Sequence, residues 1–167
     1  MFQKILVALD HADSSQTVFE KAVELAKTNH AELMLLHVIS PIDEGVPTPV
    51  YPMPDSLYPM QHEALIQSSA QLFSQLEQTG LDKLRTQDAA ATAAGVRCEF
   101  TQHVGDPGTS ICALSQNWNA DLIVMGRRGR SGLSEFFLGS VSNHVMHHAH
   151  CSVLIVQEAL VPASSNA

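Results

Sequence analysis

The chain has 167 residues, 45 % of them hydrophobic and 16 % charged, with a formal net charge of −8. That length suits one domain with a sizeable core, and the apolar fraction excludes a disordered chain. The acidic balance excludes a broad nucleic-acid or anionic-membrane surface, because such binding needs cations spread over a wide face.

The opening apolar run, Ile5-Leu-Val-Ala-Leu9, is ended by Asp10 and is too short for a signal segment or a membrane span. Three cysteines, Cys98, Cys112 and Cys151, form no CxxC and no even framework, which suits a reducing compartment. The expectation is a soluble, cytoplasmic protein.

In chain order, Ile5 to Leu9 reads as a buried strand followed by a polar turn, Asp10 to Ser15. Val18, Ala22, Leu25 and Ala26 fall at helical spacing, with Ser14 or Ser15 as the expected cap. Ala31 to Ile39 reads as a second strand, and a strand, helix and strand in this order make a right-handed βαβ unit with parallel strands. Residues 41–60 hold six of the eight prolines, a density that no regular element survives, so they form either a lid over a site or an insertion loop. Gln61 to Ala94 is helical in pattern, with Leu65, Leu72, Phe73, Leu76, Leu84, Ala89 and Ala93 on the apolar side and Gly80 as a kink or a break. Val96 to His103 reads as a third strand, less buried on one face. The Gly105-Asp-Pro-Gly-Thr109 turn leads to a helix from Ile111 to Trp118, with Pro107 where a first turn tolerates it. Asp121 to Met125 is a fourth strand, Gly139 to His148 a short helix, and Ser152 to Val156 a last strand. The sum is an α/β fold, a doubly wound five-stranded parallel sheet over residues 1–158 with a small polar tail at 159–167.

The stretch from Met125 to Asn143 carries the chemistry. Gly126, Gly129, Gly132 and Gly139 permit close approach of a ligand to backbone amides, and Gly139-Ser-Val-Ser142 opens a helix whose dipole favours negative charge. Arg127, Arg128 and Arg130 are three of the nine Lys and Arg in the whole chain. Together they point to a phosphate. In a doubly wound sheet the ligand lies beyond the carboxyl ends of the strands at the switch in strand order, where Asp10, Val38 and Gly126 fall.

In this setting the chain resembles the nucleotide-binding branch of the universal stress protein family. Its phosphate signature, G-x2-G-x9-G-[ST], is filled by Gly126, Gly129, Gly139 and Ser140. The opening Ile5-Leu-Val-Ala-Leu-Asp10, the Gly105-Asp-Pro-Gly108 turn and the closing Cys151-Ser-Val-Leu-Ile-Val156 also match, so the resemblance spans residues 2–157. The resemblance implies a Rossmann-like fold of the adenine nucleotide alpha hydrolase type. It implies that Ala8, Leu9 and Asp10 line the nucleoside end and that Val38 meets adenine through its backbone. Met125, Gly126, Arg128, Gly129, Gly139, Ser140, Val141 and Ser142 would hold the ribose and phosphates. ATP or AMP is the implied ligand, with Mg²⁺ or Mn²⁺ as an optional bridge. A homodimer through residues 152–156 is implied too, and the apolar run there would be an aggregation hazard if left bare.

The function expected is a nucleotide-binding stress-response regulator with an unidentified protein partner. The alternatives are a slow ATP hydrolase or nucleotidyl-transfer enzyme, and a dimeric scaffold that binds no nucleotide. Against turnover, the chain has no Walker lysine and no obvious water-positioning acid, so no catalytic residue is assigned. The His144, His147, His148 and His150 cluster lacks a carboxylate or cysteine at ligand spacing and reads as surface or packing. The cysteines read as small buried hydrophobes and Trp118 as core.

Overall fold

The computed structural model describes residues 1–10, 14–41, 45, 59–127 and 138–157. Among these described residues five strands alternate with four helices: β1 (Lys4–Leu9), α1 (Ser14–Asn29), β2 (Glu32–Ile39), α2 (Pro59–Ala93), β3 (Cys98–Val104), α3 (Pro107–Trp118), β4 (Leu122–Gly126), α4 (Ser140–His148) and β5 (Ser152–Val156). The sheet is parallel throughout, in the order β3-β2-β1-β4-β5. The chain winds outward from β1 to β3 and then crosses to the other side of β1, so the switch point lies between β1 and β4.

β1, β2 and β4 are continuous apolar runs because both their faces are covered. On one face Ile5, Val7, Leu33, Leu35, Leu122 and Val124 pack with α1 and α2 through Phe19, Ala22, Leu84 and Ala91. On the other, Leu6, Met34, Leu36, Ile123 and Met125 pack with α3 and α4 through Ile111 and Val145. At the amino edge, the Asp121 carboxylate accepts from the amides of Gln3 (2.7 Å) and Lys4 (3.3 Å), which fixes the start of β1. Asp121 therefore precedes β4 rather than belonging to it, just as Ala31 precedes β2 and Val96 precedes β3.

Four expectations are corrected. Ser14 and Ser15 both lie inside α1, so neither is its cap, and Ser15 is buried. Gly80 does not break α2, which runs unbroken for 35 residues. A Cβ at Gly80 would lie 2.6 Å from Nδ1 of His37 on β2 and 2.6 Å from Oε1 of Gln102 on β3. The glycine is there for close helix–sheet approach, and the face that packs is Leu84, Gln87 and Ala91, while Ala89 and Ala93 are exposed. α2 also begins at Pro59, inside the proline-rich stretch, since proline fits a first turn. The question of a lid or an insertion at 42–44 and 46–58 lies outside the described residues. Trp118 is half-buried rather than core, with Lys4 Nζ 5.0 Å from its ring centroid and donating to its carbonyl at 3.3 Å.

α2 is about 52 Å long at 1.5 Å per residue, whereas β3 spans about 23 Å. Its first half therefore extends past the carboxyl edge of the sheet. Ile66 there is exposed. Among the described residues, no helix is long and apolar enough to cross a membrane.

Candidate functional site

Register brings the expected nucleoside residues together at the carboxyl edge. Ala8 pairs with Leu36 on one side and Met125 on the other. Asp10 and Val38 each lie two residues further along, and alternation along a strand puts Val38 on the same face as Leu36. Met125 belongs to the cluster on the α3/α4 face, and Ala8, Val38, Val141 and Ile155 pack against it. Leu9 differs. Its side chain is buried in the α1/α2 cluster, so only its backbone faces the edge.

The other half of the edge is the start of α4. Gly139 is its N-cap, with extended φ and ψ of −61° and 157° and no side chain to cap the helix. The first-turn amides of Ser140, Val141 and Ser142 fall outside the helix's own hydrogen-bond ladder, which gives this end of α4 positive character. Ser140 is exposed.

Two groups expected to be available to a ligand are instead engaged in holding the loop's ends together. The Gly139 amide donates to the Arg127 carbonyl at 3.0 Å. The Ser142 hydroxyl is buried and lies 2.8 Å from that same carbonyl and 3.2 Å from the carbonyl of Gly139. The Arg127 amide in turn donates to Val156 at 3.1 Å, tying the base of the loop to β5. Arg128, Gly129, Arg130 and Gly132 lie outside the described residues.

α3 closes the same face. Asp106 caps it, accepting from the Thr109 amide at 2.7 Å, and the side-chain and backbone donors of Thr109 hold the Asp106 carboxyl below its ordinary range. A Cβ at Gly108 would stand 2.8 Å from the His144 ring, so glycine here lets the first turn of α3 settle against α4. His144 stacks on His148 with centroids 4.2 Å apart, and His148 Nδ1 lies 2.8 Å from the His144 carbonyl.

Residues 1–157 match the universal stress protein family. This chain belongs to that family. It is 39 % identical over 160 residues to Universal stress protein Sll1388 of Synechocystis, a match that covers 93 % of this chain and 98 % of the relative. Among solved structures, a universal stress protein in complex with cAMP is 25 % identical with a TM-score of 0.60, covering 93 % of this chain and 97 % of that one. A universal stress protein family member from Arabidopsis thaliana with AMP bound is 22 % identical with a TM-score of 0.60, covering 98 % and 97 %, and shares the fold.

One residue of this universal stress protein at the carboxyl edge had no local signal in the sequence. Lys83 of α2 donates from Nζ to the carbonyl of Asp10 at 2.9 Å, across 73 residues of chain. The cysteines are half-buried rather than fully buried. Burial, then the Asp88 carboxylate, pushes the Cys98 thiol up to about 12. Burial also raises the Cys112 and Cys151 thiols, which favours the protonated form in all three.

Proposed function

We propose that this universal stress protein is a regulatory homodimer that binds an adenine nucleotide at the β1/β4 switch point. The observation that carries the reading is the placement of Ala8, Val38, Met125 and Val141 in one cluster with the first turn of α4. Apolar packing at the nucleoside end and the first-turn amides of α4 at the phosphate end suit the two halves of such a ligand. The complexes of related proteins with cAMP and AMP support the same ligand class.

In this reading Asp10 faces the nucleoside, with the backbones of Leu9 and Val38 beside it. The amides of Ser140, Val141 and Ser142 and the Ser140 hydroxyl receive the phosphates, with Gly126, Arg128 and Gly129 alongside. Gly139 and Ser142 shape this anchor, since the amide of one and the hydroxyl of the other are held by Arg127.

The test is Ser140→Glu, measured by calorimetry with ATP, AMP and adenosine. An acid in the first turn favours the helix but repels phosphate, so the fold survives. ATP affinity is expected to fall at least about tenfold, or 1.4 kcal/mol, with adenosine little changed. Equal ATP binding by parent and variant would overturn the α4 start as the phosphate site.

A further inference from the structure

We infer that Lys83 is a positioning residue of the nucleotide site, aiming Asp10 at the nucleoside from the opposite face of the sheet. The inference rests on the proposed adenine-nucleotide reading.

Lys83 sits on the inward side of α2, one turn after Gly80 and next to buried Leu84. Because Gly80 carries no side chain, α2 comes down onto His37 and Gln102. The Gln102 amide fixes that register by donating to the Glu77 carbonyl at 3.2 Å. At this height Lys83 reaches the end of β1, where its ammonium meets the Asp10 carbonyl at 2.9 Å in a half-buried setting. The ion pairs among the described residues are Lys21–Glu24, Arg85–Asp82 and Arg97–Glu32, and Lys83 is in none of them. Its charge is directed at a backbone carbonyl at the ligand edge, not at a surface acid.

The consequence follows from peptide geometry. The position of the Asp10 oxygen relative to the anchored strand β1 depends on both φ and ψ at Asp10, so holding it restricts the two together, and φ sets the direction in which Cβ and the carboxylate leave the backbone. A hydrogen bond from a charged donor is about twice as strong as a neutral one, enough to hold a residue just beyond the end of its strand. Lys83 thus acts through Asp10, while α2 itself packs on the face away from the cleft.

The experiment measures adenosine, AMP and ATP affinities for the parent, Lys83→Met, Asp10→Ala and the double variant, with urea unfolding of each. Lys83→Met is expected to lose on the order of tenfold in affinity, by the same factor for all three ligands. In the Asp10→Ala background the same change is expected to cost nothing further, because its intermediary is gone. A loss that grows with the number of phosphates would overturn the positioning role in favour of direct phosphate contact. Lower stability with unchanged affinity would leave Lys83 a purely structural residue and also overturn the inference. If the parent binds none of the three ligands, the nucleotide reading falls and this inference falls with it, an outcome distinct from a parent that binds as tightly as Lys83→Met.

Discussion

At the scale of single residues, Ser140 and Ser142 show how two hydroxyls in one motif divide their work. The Ser142 hydroxyl bridges the carbonyls of Arg127 and Gly139, whereas Ser140 faces solvent. Ser142→Ala removes that donor, but the Arg127 carbonyl keeps the Gly139 amide and the Gly139 carbonyl keeps the Asn143 amide. Neither acceptor is orphaned, so the loss should be only about 1 kcal/mol, seen as a lower urea midpoint at unchanged slope. Ser140→Ala should leave the midpoint within about 0.5 kcal/mol of the parent. Equal midpoints for the two variants would show that the clasp contributes nothing. This division was partly legible in sequence, since residues two apart on a helix point about 200° from one another. What could not be read was which of the two faces inward, because that depends on where β5 and Arg127 stand.

At the scale of elements, the period of the apolar runs was enough to place the five strands and four helices of the described residues within a few positions. Errors fell where a neighbour overrides local preference. Gly80 has low helix propensity and reads as a break, yet α2 continues because the sheet needs the gap that glycine leaves. Ala89 and Ala93 look apolar in a list but stand on the exposed side, and Gln87, polar, stands on the buried one. Lys83 and Asp10 meet across 73 residues, a distance over which no pattern speaks. These overrides have a measurable sign. Gly80→Ala should gain about 1 kcal/mol of helix propensity and still lose about 1–3 kcal/mol to overpacking against His37 and Gln102. The Gln102 contact is with the tip of a long side chain that can swing aside, so His37 sets most of the cost. In a His37→Ala background, the same substitution should be markedly less harmful by urea unfolding. Additive effects of the two changes would refute the close-approach explanation.

At the scale of the whole molecule, the two edges of the sheet differ in kind. β3 carries charge at its edge, with Glu99 exposed and Arg97 just before it paired to Glu32 at 2.6 Å. Such charges discourage pairing with another sheet. β5 is Ser-Val-Leu-Ile-Val, without charge, and Leu154 at its middle is 38 % exposed. Met146 of neighbouring α4 is also exposed. The proposed homodimer joins two copies of this edge. If they pair antiparallel about a twofold axis, the middle residue lies nearest the axis and meets its own copy. Leu154→Lys then sets two ammonium groups together at the centre of the contact, while in the monomer it changes one exposed side chain. The variant should sediment as a monomer with the parent's circular dichroism, and the parent as a dimer. Each chain carries −8, so association also works against mutual repulsion. Raising salt shortens the Debye length from about 10 Å at 0.1 M to about 3 Å at 1 M and should tighten the parent dimer. A contact held by ion pairs would loosen instead, so the sign of the salt dependence distinguishes an apolar edge from an electrostatic one.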